Sequence, residues 1–338
     1  MSAILEMANE NTRELWDTLH TGYTHPHGHP LLRSEIASQY ESISEENVLV
    51  TTGTQEALQI GFQGIIKPGD HVIAPVGFEP HYHIPEALGA SVDLWRPTVH
   101  EDGTWNFLVT DLESMFRDDT KLIVLCFPHN PTGCLLAKED LQKICTLADE
   151  RDVIILSDEI FRGVERDPEK RLPSVADISE TAVVCNGLSK VYGSAGLRIG
   201  WAVTRDKILQ QKIIMHHYYS TICASAPSEV LTMIVLQNSD DIVSAHQQTI
   251  KQNLLLLSDF FGKHSEEFSW TEPDGGTIGL AEVKNMTAEK FSIDVLTSGI
   301  MAIPSSVLDL GNNHIRIGYG RRKLPQVLDI LEKHLSSQ

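Results

Sequence analysis

Basic residues are scarce in this chain. Lys and Arg total 27 against 46 Asp and Glu, a formal net charge of −19. Binding a phosphate backbone or an anionic membrane needs a basic face, so neither nucleic acid nor a membrane is expected as a partner. Cysteine is sparse too. Cys126, Cys134, Cys145, Cys185 and Cys223 are scattered and odd in number, and no pair has metal-ligand spacing. A disulfide framework and a thiolate metal site are both disfavoured, and reduced thiols are expected. No apolar run approaches membrane-spanning length. The stretch from Met1 to Leu19 has neither the basic start nor the continuous apolar segment of a secretory signal. A cytoplasmic protein is therefore expected. Fixed-period repeats and low-complexity tracts are also missing.

What remains is an ordinary apolar fraction, 41% of 338 residues, enough for two unequal lobes. Short β-branched runs alternate with amphipathic ones. Asn47–Val50, Asp70–Ala74, Lys121–Cys126, Val153–Ser157 and Thr181–Cys185 read as strands. Glu56–Ile65, Lys138–Arg151 and Ile208–His217 read as helices, and Ser228–Leu257 as one longer helical region. Such alternation predicts a mostly parallel sheet covered on both faces. The expected division is a short N-terminal arm (1–34) returning to the small lobe or to a partner subunit, a large domain (35–225), and a small α+β domain (226–338).

Several segments carry possible chemistry. A lysine follows the apolar run Ala182–Cys185, and an arginine follows it beyond two glycines, in Ser189-Lys190-Val191-Tyr192-Gly193 and Gly196-Leu197-Arg198-Ile199-Gly200. An amine so placed can form a Schiff base with an aldehyde cofactor, and an arginine fork can grip its phosphate. Taken alone, the pair reads equally as a surface lysine and arginine around a glycine turn. Thr51-Thr52-Gly53-Thr54-Gln55-Glu56 is a glycine turn opening a helix, which suits a phosphate but also suits an ordinary cap. Phe127-Pro128-His129-Asn130-Pro131-Thr132-Gly133 and Ser157-Asp158-Glu159-Ile160-Phe161 each follow a strand, and His314-Ile315-Arg316-Ile317-Gly318 is a strand with an arginine between two isoleucines.

Together these segments resemble the fold type I pyridoxal-phosphate enzymes of the class I/II aminotransferase superfamily, from about Tyr23 to the C-terminus. The resemblance implies a large α/β domain with a mostly parallel seven-stranded sheet and a smaller α+β C-terminal domain. It implies pyridoxal 5'-phosphate as cofactor, with Lys190 as its Schiff-base lysine. Gly53, Thr54, Gln55, Ser189 and Arg198 would hold the phosphate end. Phe78 would stack on the ring, although a core phenylalanine reads as well. Asp158 would hold the pyridine proton, with His81 bracing either the ring or that aspartate. Asn130 would meet the cofactor's phenolic oxygen and the substrate carboxylate, and Arg316 would pair with the carboxylate. Tyr23 would reach the phosphate of the neighbouring subunit, which implies a homodimer.

Three features depart from the pattern. Phe161 stands where a tyrosine usually donates to the phenolic oxygen, and Gly187 where a serine usually meets the phosphate. Relatives also carry several dozen more residues before the position of Tyr23, including a strand that closes over the substrate; here either Leu5–Leu19 serves as a short lid or the chain is a shortened variant. His25, His27 and His29 read as a substrate-access loop, and no metal is expected. The implied activity is that of an aminotransferase acting on an amino acid. An elimination, cyclisation or oxidation enzyme is the alternative, and a non-catalytic binding relative the alternative of another class.

Overall fold

Strands buried on both faces need apolar side chains pointing both ways, and the sequence supplies them in short runs between amphipathic helices. A computed structural model describes residues 1–337. In chain order it begins with β1 (Val48–Thr51), β2 (His71–Pro75) and β3 (Ser91–Trp95). A small hairpin of β4 (Thr98–Val99) and β5 (Trp105–Asn106) comes next. Then come β6 (Thr120–Leu125), β7 (Ile154–Asp158), β8 (Val183–Gly187) and β9 (Gly200–Val203). The large sheet runs β1-β9-β8-β7-β6-β2-β3. Only β9 pairs antiparallel with its neighbours. Ile123 and Leu125 enter one core cluster while Leu122 and Val124 enter the other, so helices cover both faces.

The smaller lobe carries β10 (Phe268–Trp270), β11 (Ile278–Val283), β12 (Ile303–Pro304) and β13 (His314–Gly318), all antiparallel, in the order β10-β11-β13-β12. Its core also receives Ile160, Phe161, Val164 and Val191 from the large lobe, so the seam between the lobes runs beside Lys190. No helix among the described residues is long and apolar enough to cross a membrane.

Two expectations about domain limits give way. The predicted helical region Ser228–Leu257 consists of two helices, Ala226–Gln237 and Ser239–Lys263, broken at Asn238. Every residue from Glu229 to Leu236 is buried, and the apolar ones among them pack in the large-lobe cluster. A helix apolar all round belongs inside a core. The amphipathic helix after Asn238 places Ile250, Leu254 and Leu257 in the small-lobe cluster. The packing thus divides at Asn238, not before Ala226. Within this chain the N-terminal arm, expected on the small lobe or a partner subunit, packs on the large lobe. Ile4, Leu5, Leu15, Trp16 and Leu19 pack on the large-lobe cluster, and Asn9 bonds Gln237 at 2.9 Å.

Candidate active site

β1 turns through Gly53 into the helix Thr54–Ile65. Gly53 takes φ +81°, a left-handed backbone, and no side chain caps the helix. The first helical amides are therefore open to an anion, with the positive end of the helix dipole behind them. Close approaches of glycine seat this turn. A Cβ on Gly200 would lie 2.4 Å from the Thr54 amide nitrogen, and one on Gly53 2.3 Å from Arg198 Nη2. Arg198 is exposed and reaches Thr52 O at 3.4 Å. Thr54 Oγ1 is buried without a hydrogen-bond partner. The Gly187 departure now has a physical reason. A Cβ there would lie 2.5 Å from Thr54 Oγ1 and 2.9 Å from Gly200 Cα, so no side chain fits and the threonine hydroxyl fills the space. Gln55 is exposed beside the turn, and Ser189 is half-buried next to Lys190.

Asp158 ends β7, nearly fully buried. Its carboxylate faces His81 Nε2 at 3.1 Å and accepts from the Ile160 amide at 3.1 Å. His81 thus braces the aspartate, and Phe78 packs edge-on against it at 4.8 Å between centroids. His81, Cys126 and Asp158 converge, with ligand atoms within 4.8 Å of one another. Burial and the charge of Asp158 push the Cys126 thiol well above its usual range and keep it neutral, which suits a core thiol better than a thiolate ligand. Asn130 is buried, and its Oδ1 has no partner. Its loop is bolted down by His129, whose Nε2 faces Val76 O at 2.7 Å and whose Nδ1 meets Thr132 Oγ1 at 2.8 Å. Burial lowers the His129 pKa to about 3, so the ring is a neutral strut between the loops carrying Phe78 and Asn130. The sequence offered no signal for this role beyond the position of His129 inside the motif.

Lys190 is exposed beside the seam between the lobes. Its Nζ lies 5.6 Å from the centroid of the Phe161 ring, which is buried and offers no hydroxyl. The crowding around the amine lowers its pKa, Arg316 lowers it further, and Asp158 pulls it back up. Arg316 projects from β13 opposite Leu280 on β11. It is half-buried, and among the described residues its guanidinium has no hydrogen bond or ion pair. Burial lowers its pKa, and Glu79 partly restores it. Tyr23 is 81% exposed and is not drawn into this group. The His25 and His27 rings meet edge to face at 5.3 Å between centroids, His27 Nε2 meets Tyr218 Oη, and His29 Nδ1 accepts from the Leu31 amide of its own turn. A separate cleft of about 490 Å³ between the β4–β5 hairpin and the small sheet is lined by none of the residues predicted for the cofactor. The converging buried polar groups lie outside that cleft.

An open α/β sheet with a lysine, a buried aspartate and an anion-ready helix end at its C-terminal edge defines a cofactor-dependent enzyme of the fold type I class. The chain belongs to the aminotransferase class I and II family, whose model matches residues 4–331. That match includes the arm before Tyr23, which the motifs alone left out. A putative aminotransferase, YugH, of Bacillus subtilis is 30% identical over 313 residues, covering 89% of this chain and 80% of that protein. The aspartate aminotransferase of Sulfurisphaera tokodaii is 25% identical, covering 95% and 86%. Among solved structures, a PLP-dependent aminotransferase from Streptococcus suis superposes with a TM-score of 0.89 at 25% identity, covering 99% of this chain and 90% of that one. An aromatic aminotransferase from Pyrococcus horikoshii shares the fold with a TM-score of 0.87 at 22% identity, covering 99% and 92%. The protein is a PLP-dependent aminotransferase of this family.

Proposed function

We propose that this chain moves an amino group from an α-amino acid to a keto acid, with pyridoxal phosphate held covalently at Lys190. The observation that carries the reading is the meeting of a lysine of lowered pKa, a buried aspartate and an unpaired arginine in one cleft. The residues present fit the cofactor. The orphaned Thr54 hydroxyl, the uncapped helix end and Arg198 form a donor set for a phosphate. The buried Asp158 carboxylate suits a protonated pyridine nitrogen, and Asn130, whose Oδ1 is buried without a partner, has an amide group to offer the phenolic edge.

When bound, the cofactor supplies an electron sink for the electrons of the substrate Cα–H bond. The rest falls to the chain. Arg316 grips the substrate carboxylate with its planar fork. Lys190 Nζ, released by the substrate amine, takes the proton from Cα and later returns one; a depressed pKa keeps it basic yet unprotonated more of the time. Asp158 holds a proton on the ring nitrogen and is itself fixed by His81 and the Ile160 amide. Phe161 would leave the phenolic edge without a tyrosine donor, and Asn130 Nδ2 would be the donor there. Tyr23, exposed on one chain, reaches the neighbouring site of a homodimer.

The test is a panel of amino acids with a keto-acid acceptor, followed by mass spectrometry. Paired appearance of a new keto acid and a new amino acid is expected. Ammonia release, or oxidised product with no aminated acceptor, would replace transfer by elimination or oxidation.

A further inference from the structure

Two segments with no part in the chemistry above meet behind the phosphate turn. One is the loop from Thr24 to Pro30, and the other is the end of the helix Lys207–Tyr218. Glu56 joins them. It lies in the first turn of the helix Thr54–Ile65, and its carboxylate reaches back to the Thr52 amide at 2.6 Å. Its other oxygen accepts from Ser220 Oγ and Thr221 Oγ1 and faces His217 Nδ1 at 3.1 Å. His217 is fully buried, and its second ring nitrogen faces Pro26 O at 2.9 Å.

The chemistry of these contacts keeps Glu56 ionised. Burial pushes Glu56 up, but the bonds from His217, Thr221 and Thr52 outweigh it and hold its pKa at about 2. An ionised carboxylate and a peptide carbonyl can only accept. Both ring nitrogens of His217 therefore face acceptors, Glu56 on one side and Pro26 O on the other. Thr52 is held on both sides: its amide by Glu56 and its carbonyl by Arg198 at 3.4 Å. Gly53, the next residue, has no side chain to fix the turn and no cap to replace it.

We infer that Glu56 and His217 form a charged clasp that positions the phosphate turn and ties it to the loop that follows Tyr23. The inference rests on reading that turn as the cofactor's phosphate site. Both are positioning residues: they touch the turn and the loop, not the reacting atoms. Without the clasp, Thr52 loses its fixed amide, the turn keeps only the bonds between Gly53 and Thr51, and the amides of Thr54 and Gln55 are aimed less tightly. The strength lost is that of hydrogen bonds to a charged group.

The experiment compares two probes on the full-length apoprotein: pyridoxal phosphate and pyridoxal, which lacks the phosphate. In Glu56→Gln, the phosphate form should bind about tenfold or more weakly, while pyridoxal affinity stays within about twofold. His217→Asn should show the same selective loss, and the double variant should be no weaker than Glu56→Gln alone. Equal losses for both probes, or unchanged affinity for both, would overturn the clasp. Because these variants can fail to fold, nitrogen NMR of the unmodified protein provides a second test. Hydrogen-bond couplings from the His217 ring to Glu56 and to Pro26 O are expected, and a ring that bonds neither overturns the inference. If the unmodified chain binds neither probe at Lys190, the cofactor reading falls first and takes the clasp with it.

Discussion

Charges around Lys190 act in opposite directions, and that gives a test with two signs. Arg316 lowers the lysine pKa and Asp158 raises it. Arg316→Gln should therefore move the pH profile of pyridoxal phosphate capture by the apoprotein to higher pH, and Asp158→Asn should move it to lower pH. Shifts in one direction for both would show that the charges do not face the amine as described. Asp158→Asn should also cost about a hundredfold or more in turnover while cofactor capture survives, because the amide cannot hold the ring proton. Near-normal turnover would place the ring partner elsewhere. Arg316→Lys keeps the charge but not the fork, so a raised Michaelis constant with intact cofactor affinity is expected. The residues of this centre were legible because each lies inside a motif of fixed spacing. His129, Glu56 and His217 were not. Glu56 and His217 are 161 positions apart, and no local pattern announces such a meeting.

At the scale of elements, glycines decide how closely the phosphate helix approaches the sheet. Gly187 on β8 pairs with Gly200 on β9, and a Cβ on Gly200 would meet the Thr54 amide. Gly200→Ala should destabilise the fold by about 1–3 kcal/mol, as overpacking does, and should weaken pyridoxal phosphate binding. Normal affinity in a stable variant would contradict the packing argument. A second elemental device is Glu159, which follows β7. It accepts from Ser174 Oγ and the Val175 amide, at the start of the helix Val175–Ile178. Burial raises its pKa to about 7, against the opposing pull of Arg162 and the Val175 amide. The folded chain then holds a proton that the unfolded chain has lost, so stability falls as pH rises from about 4.5 to about 7 and stays lower above that. Glu159→Gln removes this titration. Its stability relative to the unmodified protein should improve by about 3 kcal/mol between pH 4.5 and 8, read by chemical denaturation; a flat difference would show that Glu159 is ionised when buried. Strand positions were legible from apolar runs, yet β9 was hidden inside the Arg198 motif, and the break at Asn238 was masked by continuous helical character on both sides.

At the scale of the molecule, Lys190 comes from the large lobe and Arg316 from the small one, so the site depends on how the lobes meet. Arg166 spans the seam. Its backbone amide bonds Asp274 O, and its guanidinium bonds Tyr319 Oη at 3.1 Å. The sequence resolved the existence of two lobes but not their border, because burial of Ala226–Gln237 depends on partners far away in the chain. All of this leads to one lysine. The most direct measurement is to reduce the protein, purified with pyridoxal phosphate, with borohydride and map the labelled peptide. The account predicts a single cofactor adduct on Lys190, absent in Lys190→Ala. An adduct on another lysine, or none on a folded protein saturated with cofactor, would contradict it.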